Sequence, residues 1–169
     1  HLAGQSCDMK PIHELSKEYG FKIIEDASHA IGGKYYDQQI GNCKFSDITV
    51  FSFHPVKIIT SGEGGSILSN NTEFDRKCKI IRSNGINKEK KFFINEAKGP
   101  WYYEQQQLGF NYKLSDIHCA LGVSQLEKID KFVDERNRIA NVYNSELKKL
   151  SIKLPYILEG NRSSYHLYV

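Results

Sequence analysis

Apolar residues come in short runs along this chain, and the period of the runs changes as the chain proceeds. "MKPIHELSKEYG" reads as a short helix, with Pro11 at an early helical position and Gly20 as its C-terminal stop. "FKIIED" is too short for a helix and ends in acids, which indicates a strand. A glycine-containing turn region, "GGKYYDQQIGN", comes next. "DITVFSF" is the strongest strand signal, β-branched and aromatic throughout, and "GGSILSN" is a further candidate. Asn71 and Thr72 are placed to cap a helix running through about Arg82 and closed by Gly85.

Residues 87–107 are polar and aromatic without periodicity, the pattern of a long functional or mobile loop. From Ser115, an N-cap residue, the period becomes helical. Ile129, Phe132, Val133, Ile139, Ala140, Tyr143 and Leu147 share one face, and Gly122 marks a kink or break before them. "SSYHLYV" alternates like a strand. Helices alternating with short, nearly all-apolar strands indicate an α/β architecture, its sheet covered on both faces. In such folds ligands gather at the carboxyl ends of strands. Asp26 and His29 follow "KIIE", and Ser52, His54 and Lys57 follow "DITVF", so a shared rim would bring the two groups together.

Composition narrows the classes. With 169 residues, 40% hydrophobic and 25% charged, the chain is long enough to bury a sizeable core. The net charge of +3 is small, and Lys and Glu are interleaved, so neither a nucleic-acid stripe nor a polybasic membrane anchor is expected. No apolar run is long enough to span a bilayer and none reads as a signal peptide. Cys7, Cys43, Cys78 and Cys119 lack disulfide or zinc-ligand spacing, so free thiols in a reducing cytoplasm are expected. The chain begins without a methionine and stops within a strand-like alternation, as an internal piece of a longer protein would.

Several motifs are excluded. There is no GxxxxGK[ST], "GEGGSI" lacks the third glycine of a dinucleotide fingerprint, and "HELSKE" is not HExxH. Asp26, His29 and His54 offer metal-ligand types without a complete ligand set, so no metal is expected. Pyridoxal phosphate chemistry asks for something else: a lysine amine for a Schiff base, a carboxylate for the pyridine nitrogen, and hydroxyl or N–H groups for the phosphate. Lys57, Asp26 and Ser52 are of those three kinds. On spacing alone a plainer reading stands beside it, with Asp26 a helix cap, Ser52 a strand residue and Lys57 a solvated turn lysine.

"HLAGQSCDM", "IIEDASHAIGGKY", "DITVFSFHPVKIITSGEGG", "LGFNYKLSDIHCALGVSQL" and "SSYHLYV" together resemble the DegT/DnrJ/EryC1/StrS sugar aminotransferases, in order and spacing, over essentially the whole chain. "EDASHA", "SFHPVK" and "PWYYEQQQLGFNY" resemble most the branch that aminates a UDP-4-keto-6-deoxy-N-acetylhexosamine in pseudaminic acid synthesis for surface or flagellar glycans. The resemblance implies a fold-type I pyridoxal 5′-phosphate enzyme, with a mainly parallel sheet, flanking helices and a small C-terminal α+β domain. Residues 1–128 would belong to the large domain, and 129–169 to a linking helix and the start of the small one. It also implies a cytoplasmic homodimer with shared active sites, using glutamate as amino donor.

Residue by residue, Lys57 matches the Schiff-base lysine and Asp26 the carboxylate paired with the pyridine nitrogen. His29 stands where many relatives carry glutamine, near the cofactor's phenolic oxygen, and Ser52 matches the phosphate-binding serine. Asn111 resembles the asparagine that reaches the phosphate from the neighbouring subunit. Two positions depart from the pattern, Asn84 where histidine is common and Lys113 where arginine is frequent. Trp101, Tyr102 and Tyr103 either line a sugar-nucleotide cleft or pack in a dimer interface, and Lys88–Lys91 form a solvated face or meet a diphosphate. His118 and Cys119 read as core or interface residues. Two rival readings are a sugar dehydratase of the same family, whose branch carries histidine in place of Lys57, and a non-catalytic sugar-nucleotide-binding module.

Overall fold

The computed structural model describes residues 1–169. After a tight helical turn at Leu2–Gly4 come α1 (Met9–Tyr19), β1 (Ile24–Asp26), β2 (Lys34–Tyr35), β3 (Gln38–Gln39), β4 (Ile48–Ser52) and β5 (Gly65–Leu68). Then follow α2 (Thr72–Ile81), β6 (Ile86–Asn87), a second tight turn at Lys90–Phe92, β7 (Glu104–Gln105), α3 (Asp116–Leu126), α4 (Ile129–Leu147) and β8 (Asn161–Arg162). No helix is long and apolar enough to cross a membrane.

Local signals set the helix ends. Gly20 closes α1 in the left-handed region, its N–H donating to the Ser16 carbonyl at 2.9 Å. Asn71 caps α2, its side-chain oxygen accepting the N–H groups of Glu73 and Phe74 at 2.9 and 3.2 Å. α3 starts directly after Ser115 and runs through Gly122, and the break falls instead at Glu127–Lys128. Gly122 serves close packing, since a β-carbon there would lie 3.4 Å from that of Ser61.

The three strands expected from apolar runs form one sheet in the order β1–β4–β5, with β1 parallel and β5 antiparallel to β4. Side chains alternate between faces. Glu25 and Thr49, paired in register, lie on one face and are buried. Asp26 pairs with Val50, and Ser52 lies two residues further along β4, so both belong to the opposite face. On that face Ile24 and Ile67 stay 65% and 57% exposed. Cover on both faces is therefore not met within these residues, and the open face is the one that carries Asp26 and Ser52.

Two small apolar clusters anchor the sheet. Met9, Ile23 and Tyr35 pack with Ile12 and Phe45, while Ala27, Ala30 and Ile40 pack against Phe51. The Tyr35 hydroxyl donates to Asp8 at 2.5 Å and accepts the Lys10 N–H at 3.2 Å, which satisfies its buried oxygen.

Two segments differ from their sequence reading. "GGKYYDQQIGN" contains a hairpin, β2 with β3, turned at Tyr36 and Asp37 with φ of 45° and 60°, and β8 pairs with the other edge of β2. "SSYHLYV" forms no strand. Three of its carbonyls are taken by side chains: Asn137 donates to the Ser163 carbonyl at 2.9 Å, and the Arg136 guanidinium to the carbonyls of Tyr165 and His166 at 3.0 and 3.3 Å.

By internal packing the chain divides into two compact units, His1–Asn70 with Asp116–Val169, and Asn71–Ser115. Within the second, β6 pairs antiparallel with β7 and closes the long segment expected to be a loop.

Candidate active site

The first unit gathers Asp26, His29 and Lys57. Asp26 ends β1, and the Ala27 N–H continues the ladder to the Val50 carbonyl at 2.9 Å. Asp26 Oδ1 accepts the Ser28 N–H at 3.0 Å, and the residue is exposed. Hydrogen bonds from Ser28 hold this carboxyl below its usual range, aided by the charges of His29 and Lys57.

The reverse face of β1 is braced by a polar network. Glu25 accepts from Thr49 Oγ1 at 3.1 Å and from the Ser46 hydroxyl, and its other oxygen meets His1 Nε2 at 2.6 Å. Burial opposes both charges, yet the hydrogen bonds prevail, so the Glu25 carboxyl is held low and His1 is pushed up. The pair fixes β1 from the side away from Asp26.

Lys57 sits in the loop after β4, half-buried, with its N–H donating to the His54 carbonyl at 2.9 Å. Ile58 and Ile59, 5% and 2% exposed, anchor the residues that follow it. The loop closes on itself, since the Phe53 carbonyl accepts the Thr60 hydroxyl at 2.9 Å and the Ser61 N–H at 3.0 Å. Lys57, in the loop after the half-buried β4, is thus held by the apolar pair behind it, with its amine acting electrostatically on Asp26, His29 and His166. Ser52 closes β4, where its hydroxyl oxygen accepts the His54 N–H at 3.4 Å.

His29 follows β1 by three residues, its Nδ1 accepting the Ala3 N–H at 3.3 Å. Its ring lies 4.4 Å from that of His166, tilted by 43°. Burial, then the Lys57 charge, lowers its pKa, against the pull of Asp26. Burial, with the positive charges of His29, Lys57 and Arg136, lowers His166 to about 4. A hollow of about 190 Å³ opens here, lined by His1, Leu2, Asp26, Ser28 and His29.

Asn111 belongs to the second unit, exposed and joined to Ser83 by an isolated antiparallel bridge. Lys113 lines a hollow of about 490 Å³ in that unit with Lys79, Ser83, Asn87, Lys88 and Tyr103. Of the three aromatics in sequence, Trp101 and Tyr103 are 69% and 55% exposed, whereas the Tyr102 hydroxyl donates to Glu104 at 3.0 Å. Lys91 pairs with Glu89 at 3.0 Å on the surface. The larger hollow is thus a basic surface feature, while Asp26 and His29 line the smaller one.

His166 was not anticipated as part of this group. "SSYHLYV" was visible as a motif, but its approach to His29 depends on contacts between distant parts of the chain.

The chain belongs to the DegT/DnrJ/EryC1/StrS aminotransferase family, whose sequence profile matches residues 1–169. It is 42% identical over 172 residues to a UDP-4-amino-4,6-dideoxy-N-acetyl-beta-L-altrosamine transaminase of Campylobacter jejuni subsp. jejuni serotype O:2, covering 99% of this chain and 42% of that protein. It is 34% identical to a GDP-perosamine synthase of Vibrio cholerae over 99% of this chain and 42% of that one. Among solved structures, Helicobacter pylori PseC, an aminotransferase involved in the biosynthesis of pseudoaminic acid, matches with a TM-score of 0.85 and 34% identity over 99% of this chain and 42% of its own. The chain therefore spans about two fifths of the length of these relatives, 42% in each case.

Proposed function

We propose that this chain is part of a pyridoxal-5′-phosphate-dependent aminotransferase that transfers an amino group from glutamate to C4 of a UDP-4-keto-6-deoxy-N-acetylhexosamine, in the nucleotide-sugar chemistry of pseudaminic acid. The observation that carries this reading is the convergence of Lys57, Asp26 and His29 at the carboxyl ends of β1 and β4, in a chain 42% identical to a transaminase of such a sugar.

The residues suit the cofactor chemically. Asp26 is an exposed carboxylate kept ionised by its hydrogen bonds from Ser28, the kind of acceptor a protonated pyridine nitrogen needs. His29, with Nδ1 accepting from Ala3, has Nε2 to offer the phenolic oxygen. Ser52 has a hydroxyl for the phosphate, and Asn111 would reach that phosphate from the neighbouring subunit of a homodimer. Bound there, the cofactor supplies an electron sink for charge developing at the donor's α-carbon. Lys57 Nζ would act as the base that takes the proton from that carbon and, in the second half of the reaction, as the acid that gives a proton to C4 of the sugar. The Asp26 carboxylate keeps the pyridine nitrogen charged while this happens. On the same reading, residues 1–128 belong to the large domain of a cytoplasmic enzyme, and 129–169 to the linking helix and the start of its small domain.

The test supplies the intact protein with pyridoxal 5′-phosphate, glutamate and either a UDP- or a GDP-linked 4-ketosugar. Amination of the UDP sugar is expected, with borohydride fixing the cofactor on Lys57 by mass spectrometry. Labelling of Lys34 or Lys113 instead would overturn the site, and turnover of the GDP sugar alone would overturn the substrate.

A further inference from the structure

Three segments far apart in the sequence close around His29. Gly4, with φ of 113°, lets residues 164–166 pass so near that a β-carbon at position 4 would stand 2.6 Å from the Tyr165 amide nitrogen. The Ser164 N–H donates to the Gly4 carbonyl at 2.9 Å, and the Leu167 N–H to the Ala3 carbonyl at 3.2 Å. The Ser164 hydroxyl donates to the His29 carbonyl at 3.2 Å. These bonds hold the Ala3 N–H on His29 Nδ1 and the His166 ring against the His29 ring.

A backbone N–H can only donate, so His29 Nδ1 must present a lone pair. A neutral His29 then carries its proton on Nε2. His166 Nδ1 is buried without a hydrogen-bond partner, so a proton placed there would have no acceptor. The His166 ring is therefore confined to its neutral form.

We infer that His166 is a positioning residue which, packed against His29, keeps that imidazole neutral, with its proton on Nε2, as a donor to an anionic oxygen beside Lys57. Only the identity of that oxygen, the cofactor's phenolic one, rests on the function proposed above. The charged groups facing the pair come from three other places. Asp26 at the end of β1 favours protonation of His29, Lys57 after β4 opposes it at both rings, and Arg136 of α4 opposes it at His166. Burial is the largest influence lowering both, and the two rings pack 4.4 Å apart.

The experiment follows the imidazole nitrogens of the isotope-labelled intact protein by NMR, first without cofactor, with His29 assigned through His29→Asn. The expected His29 signal has Nε2 protonated and Nδ1 bare. His166→Ala admits water and moves the His29 midpoint up toward its ordinary value of about 6.5, while His166→Phe keeps an aromatic ring in place and leaves the midpoint low. A proton on Nδ1, a midpoint unmoved by His166→Ala, or one raised as much by His166→Phe would each overturn the inference. Added pyridoxal 5′-phosphate gives a separate readout: its affinity is expected to fall about tenfold in His166→Ala, the worth of one modest hydrogen bond. Unchanged affinity there would overturn the positioning role. Wild-type protein that binds no cofactor would overturn the proposed function and leave the tautomer result standing.

Discussion

The carboxylate of Glu104 accepts the N–H of Ile94 at 2.7 Å, and this bond is the largest influence holding its pKa down at about 2. The Asn95 N–H at 2.8 Å and its side-chain amide at 3.3 Å, the Tyr102 hydroxyl at 3.0 Å and the Gln106 amide at 3.3 Å also donate to it. A segment without hydrophobic periodicity is thus organised by one buried anion rather than by an apolar core. Because the folded pKa lies below the unfolded one, the stabilisation is fully present above about pH 4.5 and is lost as pH falls through about 2. Glu104→Gln should remove that acid dependence and speed hydrogen exchange of the Ile94 and Asn95 amides at neutral pH. Unchanged exchange would mean that β6 and β7 hold the segment without the carboxylate.

Gly4→Ala combines a left-handed φ of 113° with a β-carbon 2.6 Å from the Tyr165 backbone nitrogen. The nearest atom is backbone, so relief requires residues 164–166 to move. A loss of roughly 2 kcal/mol is expected from the strained φ and the clash together, measured by urea unfolding of the intact protein. A change within about 0.5 kcal/mol, the range of an ordinary surface substitution, would show that the C-terminal segment yields freely.

Asp26→Asn keeps the shape and the oxygen that accepts the Ser28 N–H, so the fold should survive. An amide cannot balance a pyridinium charge. Turnover should therefore fall by roughly a hundredfold or more, while cofactor still binds. Wild-type turnover in the Asn variant would reduce Asp26 to a turn cap.

If Asn111 completes the site of a neighbouring subunit, Lys57→Ala and Asn111→Ala subunits should complement each other when mixed. Random pairing of two inactive chains in a twofold dimer restores one intact site in half the dimers, about a quarter of wild-type activity. No recovery from mixtures shown to contain mixed dimers would place Asn111 in the site of its own chain.

The sequence by itself determined the strands β1, β4 and β5, the caps of α1 and α2, and the placing of Asp26, Ser52 and Lys57 at strand ends. Those features depend on neighbours a few residues away, where periodicity, β-branching and capping chemistry act directly. The family motifs were legible for the same reason. Tertiary structure alone decided that Asp26 and Ser52 share the open face, since register between strands sets the faces. It alone paired β2 with β8, two-residue strands of mostly polar composition that carry no periodic signal. It also turned "SSYHLYV" from an apparent strand into the segment that sets His166 against His29, because Gly4, Arg136 and Asn137 claim its backbone from distant parts of the chain. Alternation in a sequence records which residues suit a strand, but the hydrogen bonds offered by the rest of the fold decide whether the backbone forms one.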